Sequence, residues 1–168
     1  MKKITVFLFC GFLTFFLMGC DKNAFNDSGD LIINFESDVH VEANNKTYEF
    51  KIFHTPEGIN TVTFSKPESI KGLAFSWESG KYKVLMKDLS GEFNIEPLTE
   101  DSFVSCIIKV LNSLNDKENL NRISDEEGEK TFKGKCENMD YEITVNRKGE
   151  IIRIILPDQK VTATFKYA

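Results

Sequence analysis

The chain has 168 residues, 26 Asp and Glu against 21 Lys and Arg, and a formal charge of −5. A chain of this size can bury about two thirds of its unfolded surface in a single domain, so neither a metal nor disulfides are required to hold a core. The acidic balance excludes the electrostatic footprint of a nucleic-acid-binding protein and gives charge alone no hold on anionic lipid headgroups.

Lys2 and Lys3 precede an apolar run from Ile4 to Phe16, followed by Leu17-Met18-Gly19-Cys20. A charged start, a short apolar stretch and a small residue before a cleavage point describe an export leader, residues 1–19, that is removed rather than folded. With a cysteine directly after the cut, the segment resembles the lipobox of the bacterial lipoprotein-processing pathway. That resemblance implies acylation of the Cys20 thiol and a protein held by lipid on the outer side of the cell membrane. Two acyl chains, at about 0.8 kcal/mol per buried methylene, anchor stably where one is marginal. Removal of Lys2 and Lys3 with the leader takes the formal charge from −5 to −7. Residues 20–30 read as the lipidated cysteine and a polar tether that reaches roughly 15 to 20 Å as a random coil. Residues 31–168 read as one folded domain.

From Leu31 the pattern has period two. Phe35, Ser37, Val39, Val41 and Ala43 share one face and Glu36, Asp38, His40 and Glu42 the other, which predicts a half-buried antiparallel strand. Asn44-Asn45 suits a tight hairpin turn. Tyr48, Phe50 and Ile52 form the next strand, Thr55-Pro56-Glu57-Gly58 a turn, and Val62 and Phe64 a third strand that Lys66-Pro67-Glu68 breaks. Leu73, Phe75 and Trp77 turn at Glu78-Ser79-Gly80-Lys81 into Tyr82, Val84 and Met86. Phe93 and Ile95 predict a short further strand ended by Pro97.

A helix follows. Thr99 is the expected N-cap, Glu100 and Asp101 favour the helix dipole, and Leu98 can staple to Phe103. Phe103, Val104, Cys106, Ile107, Ile108, Val110, Leu111 and Leu114 recur at three and four, a stripe wide enough to require burial. Residues 115–131 are strongly polar and predict a solvated loop with a helical turn at Leu120 to Ile123; their acidic groups lack the spacing of a calcium loop. Strands then resume at Thr131 to Cys136, Tyr141-Ile143-Val145, Ile152-Ile154-Leu156 and Val161-Ala163-Phe165-Tyr167, with a turn at Asn146-Arg147-Lys148-Gly149.

Meander, apolar helix, second meander: the expected fold is α+β and mostly β, an antiparallel meander sheet curved into an unclosed half-barrel around one main apolar helix. Cys10 leaves with the leader and Cys20 carries lipid, so Cys106 and Cys136 remain, able to form a disulfide or to stay as core thiols. No cofactor is implied, and no metal-ligand spacing is present. The only histidines are His40 and His54, and no nucleophile motif accompanies them, so catalysis is not expected.

Val62-Thr-Phe-Ser-Lys-Pro-Glu-Ser-Ile-Lys-Gly-Leu-Ala-Phe-Ser-Trp77 resembles the segment of LolA/LolB-like lipoprotein carriers in which a strand ends at a proline and the next pair carries aromatic residues. Tyr141-Glu-Ile-Thr-Val-Asn-Arg-Lys-Gly-Glu-Ile-Ile-Arg-Ile-Ile155 is similar to the late hairpin of that group and of the mycobacterial lipid-binding lipoproteins. The resemblance implies an open antiparallel barrel over helices, with a hydrophobic cavity for acyl chains. Two features depart from it. Residues 21–30 are too short and polar for the helix that usually precedes the first strand, and Cys20 makes anchored acceptors a nearer comparison than soluble carriers.

By alternation, a cavity between sheet and helix takes Phe64, Phe75, Trp77, Val84 and Met86 from the first meander, Ile107, Val110 and Leu111 from the helix, and Ile143 from the second. Such walls suit a lipid or another hydrophobic ligand. The same side chains can instead close-pack as a core. Two functions follow: a membrane-anchored, non-catalytic lipoprotein that binds a hydrophobic ligand, or a lipid-anchored interaction module with a solid core that presents a sheet face or the acidic loop to an envelope protein.

Overall fold

The computed structural model of the chain describes residues 31–78, 81–87, 89–93, 98–99, 102–115 and 120–168. Residues 1–30, on which the expected leader, Cys20 and the expected tether fall, lie outside them, as do Ser79-Gly80, Ile95, Pro97, Glu100 and Asp101. Strands β1 (Phe35–Ala43), β2 (Lys46–His54), β3 (Asn60–Lys66), β4 (Leu73–Glu78), β5 (Lys81–Met86) and β6 (Leu89–Phe93) precede the helix α1 (Phe103–Ser113). Strands β7 (Asn121–Glu126), β8 (Glu129–Cys136), β9 (Met139–Val145), β10 (Ile151–Leu156) and β11 (Val161–Lys166) follow it.

These eleven strands form a single antiparallel sheet in the order β6-β5-β4-β3-β2-β1-β11-β10-β9-β8-β7. Each meander is a run of hairpins, and the two are joined where the first strand meets the last, from Asp38 opposite Lys166 to Ala43 opposite Val161. The outer strands β6 and β7 do not pair with each other, so the sheet is an unclosed half-barrel. The alternation sets its two faces. Inward come Val39 and Val41, Phe50 and Ile52, Val62 and Phe64, Ile143, Ile154, Ala163 and Phe165, all buried with the apolar face of α1. Outward come cross-strand ion pairs: Lys66–Glu49 at 2.9 Å, Lys83–Glu92 at 2.9 Å and Lys133–Glu142 at 3.0 Å. At 27–70% exposure these pairs contribute little to stability, but they keep the outer face in water.

The structure departs from four local expectations. Within 115–131, residues 121–126 are strand β7, hairpinned to β8 through Glu127-Gly128, where a loop and a helical turn were expected. β7 is an edge strand whose inward positions include Arg122 and whose Ile123 sits at a bulge, half exposed, so apolar alternation never appears in its sequence. The N-cap is Ser102, not Thr99: the Ser102 hydroxyl accepts the Ser105 N–H at 3.1 Å, while Thr99 O accepts from Ser102 N in the preceding turn. In β10 a bulge between Ile151 and Arg153 puts Ile151 inward and leaves Ile152 only part-buried. β6 starts at Leu89, four residues before Phe93, because Lys87 adopts a positive φ of 54° and permits a tight turn out of β5.

Candidate functional site

Cross-strand partners in an antiparallel sheet share a face, so the register of β4, β5 and β6 defines three inward rows. Leu73 stands opposite Met86 and Met86 opposite Leu89; Phe75 opposite Val84 and Val84 opposite Gly91; Trp77 opposite Tyr82 and Tyr82 opposite Phe93. Every position except Gly91 is apolar or aromatic. Their exposure rises toward the edge: Phe75 and Trp77 are 8% exposed, Tyr82 and Val84 half-buried, Met86 36%, Phe93 46% and Leu89 76%.

The gradient follows from where α1 lies. Its first residue, Phe103, packs its ring over β2 and β3, with centroids 4.6 Å from Tyr48 and 6.4 Å from Phe64. An aromatic chain then runs along the sheet from Phe64 to Phe75 at 6.4 Å and on to Trp77 at 6.0 Å. On its other side the helix meets β8 and β9, where Ser113 Oγ lies 3.3 Å from Tyr141 Oη and Lys109 pairs with Glu137 at 3.1 Å. Among the described residues, the inward face of β5 and β6 thus continues the core beyond its cover as an open apolar surface. Leu85, on the outward side of the same hairpin, is also exposed.

The nine positions expected to line a cavity differ in burial. Phe64, Phe75, Trp77, Ile107, Val110, Leu111 and Ile143 are buried in one continuous core with the helix. Val84 is half-buried and packs against that core, and Met86, at 36% exposure, lies on the part left uncovered. Alternation read along the chain did not bring Leu89, Phe93 or Tyr82 into the site. The signal was present in the spacing of Leu89, Gly91 and Phe93, but the short loop before Leu89 concealed its register. Cys106 and Cys136, which the sequence allowed as a disulfide, stand as two thiols: Cys106 is buried on α1 and Cys136 Sγ donates to Lys109 O at 3.6 Å. Burial pushes the Cys136 thiol above its ordinary pKa, with Glu137 adding to the shift, so it is a poor nucleophile.

A cleft of about 620 Å³ near the other edge is lined by Asn121, Lys133, Lys135, Asp140, Glu142 and Pro157 among others, and carries the Lys133–Glu142 and Lys135–Asp140 ion pairs. Among the described residues no group of three or more His, Cys, Asp or Glu could hold a metal, and no helix is long and apolar enough to cross a membrane.

No family model and no curated protein matches the chain. Solved structures do. The chain is similar to an uncharacterized conserved protein from Thermus thermophilus, at 12% identity over 80% of each chain and a TM-score of 0.47. It is similar to the LolA superfamily protein NE2245 from Nitrosomonas europaea, at 12% identity over 88% of this chain and 87% of that one, with a TM-score of 0.40. It also matches a chain in the structure of the CwlD amidase from Clostridioides difficile in complex with the GerS lipoprotein, at 13% identity over 100% of this chain and 96% of that one, with a TM-score of 0.47. These neighbours include a protein of the LolA superfamily, the group that the two hairpin segments resemble.

Proposed function

We propose that the chain is an extracytoplasmic lipoprotein, anchored through lipid on Cys20, that holds a lipid or similar hydrophobic molecule against the inward face of β4 to β6 without chemistry. One observation carries this: the apolar inward face runs on past α1, from buried Trp77 to half-exposed Phe93 and largely exposed Leu89. Contiguous exposed apolar surface is the usual mark of a binding surface in a soluble domain. Val84 and Met86, with Tyr82, Leu89 and Phe93, form the contact surface, and Phe75 and Trp77 its floor. The Met86 thioether and the aromatic rings suit a flexible acyl chain. A membrane anchor and a tether of residues 20–30 would keep this surface within reach of the source of such molecules.

A second reading is favoured by the complete burial of Ile107, Val110, Leu111 and Ile143 in one continuous core. On it, the domain is a solid-core interaction module whose apolar edge meets an envelope protein. Native mass spectrometry of the chain from Asp21 onward, purified without detergent, separates the two. A defined hydrophobic adduct that is lost in Leu89→Glu and Phe93→Glu, both exposed and expected to fold, supports the ligand reading. A bare mass that takes up no offered phospholipid or fatty acid rejects it. Incorporation of radiolabelled palmitate that disappears in Cys20→Ala tests the anchor.

A further inference from the structure

His54 ends β2 on the inward side of the sheet and is fully buried. Its register partner on β3 is Asn60, and Nδ1 lies 2.6 Å from Asn60 Oδ1. Asn60 settles which ring nitrogen carries the proton. Its Nδ2 donates to Gly58 O at 2.9 Å and to Asn112 Oδ1 on α1 at 3.3 Å, so its oxygen faces the ring and can only accept. Nδ1 is therefore the N–H, and Nε2 bears the lone pair. Nε2 has no hydrogen-bond partner among the described residues. Just beyond α1, Asn115 Nδ2 donates to Pro56 O at 2.8 Å. The C-terminal end of the helix is thus tied to the β2–β3 turn at two points, one of which leads through Asn60 to His54.

We propose that His54, Asn60 and Asn112 form an acid-sensitive latch, which pins the end of α1 to the β2–β3 hairpin while the imidazole is neutral and releases it when Nε2 takes a proton. The neutral ring satisfies Asn60 and leaves one lone pair unpaired at Nε2, which costs far less than an unpaired charge in the same place. The protonated ring keeps that bond but adds a charge and a second N–H donor at a buried nitrogen that has no hydrogen-bond partner among the described residues. The latch breaks most readily at its longest link, Asn60 to Asn112, which joins sheet to helix.

Among the described residues no charge compensates from the surrounding elements. On β1 the ring meets Phe35, with centroids 5.6 Å apart, and behind Phe35 lies Tyr167, whose hydroxyl donates to Ile151 O. Glu36 of β1 and Lys51 of β2 pair with each other on the outward face, and Lys66 of β3 pairs there with Glu49. Glu57 of the turn and Glu78 of β4 are exposed, and Lys109 of α1 pairs with Glu137. Burial holds the His54 imidazole below its ordinary pKa, with the Asn60 bond opposing that shift. The unfolded chain therefore binds this proton more readily than the folded one. The stability tied to His54 is whole above about pH 6.5 and is lost as pH falls below that value toward the folded-state pKa.

The test uses the full-length chain labelled with ¹⁵N-histidine, in which only two imidazoles give signals. NMR is expected to show His54 as the Nδ1–H tautomer, still neutral at pH values where an ordinary imidazole is charged. Between about pH 7.5 and about pH 5 the melting temperature is expected to fall by about 5 °C or more, and amide protection near Asn112 to fall with it. In His54→Gln, which keeps an amide donor and never charges, most of that fall disappears; in His40→Gln it remains. A His54 that titrates at or above the ordinary value overturns the proposal, as does an acid loss unchanged in His54→Gln. If His54→Gln does not fold, the tautomer and the titration decide.

Discussion

Two regions of the sheet, β8–β9 and β5–β6, are built from the same alternation and are covered differently. At β8–β9, Phe132, Tyr141 and Ile143 face inward and are fully covered, because Gly134 leaves room for the Tyr141 ring and the helix reaches over to meet it through Ser113 and Lys109. At the β5–β6 end, Met86, Leu89 and Phe93 face the same way with no helix above them among the described residues. An inward-facing apolar side chain is therefore not the same as a core side chain. Cover decides, and cover comes from where one helix of 11 residues lies.

That contrast can be broken most forcefully with a matched pair of leucines. Leu111→Ala, under full cover, is expected to cost about 2–5 kcal/mol in urea unfolding, since it removes transfer energy and leaves a cavity. Leu89→Ala is expected to stay within about 0.5 kcal/mol. Equal losses at the two positions would mean that the β6 end is covered after all.

Gly134→Ala probes the covered region from the backbone. Its new methyl would fall on the buried Tyr141 phenol, and overpacking there is expected to lower stability by about 1–3 kcal/mol. Gly58, by contrast, has open space around it, although its φ of 80° favours glycine. Ser102→Ala removes the hydroxyl that caps the helix and is expected to cost about 0.5–2 kcal/mol by circular-dichroism melts, with Thr99→Ala nearly silent. The reverse ranking would restore Thr99 as the cap. Leu89→Glu has the smallest effect on stability and the most specific effect on function. If the open face binds an acyl chain, losing the leucine that the chain would cover should weaken uptake by about tenfold or more.

How much was legible follows from which residues speak locally. Phe35 to Ala43, Leu73 to Met86 and Tyr141 to Val145 alternate cleanly, and those strands were readable without the structure. The helix was readable from Phe103 to Leu114 because its apolar spacing is three and four throughout. β7 was not: an edge strand packed on one side places Arg122 inward and bulges at Ile123, so it carries no periodic signal. The bulge in β10 defeated the alternation in the same way, moving the inward role from Ile152 to Ile151. Of the nine positions expected to line a cavity, the inward direction could be read. The division into seven buried, one half-buried (Val84) and one exposed (Met86) could not, and Leu89 was missed for want of its register.

By itself the sequence determined the local grammar of the protein: hairpins in two runs, one helix too apolar to be exposed, charges on one face and aromatics on the other. Side-chain period depends only on backbone geometry, so it is written into neighbouring residues. Tertiary structure alone decided that β1 pairs with β11 to fuse two meanders into one sheet, that Asn60 of the hairpin meets Asn112 of the helix, and that the helix stops short of β6. Each of these joins residues at least 52 positions apart or depends on where a rigid element comes to rest, and no local pattern encodes either.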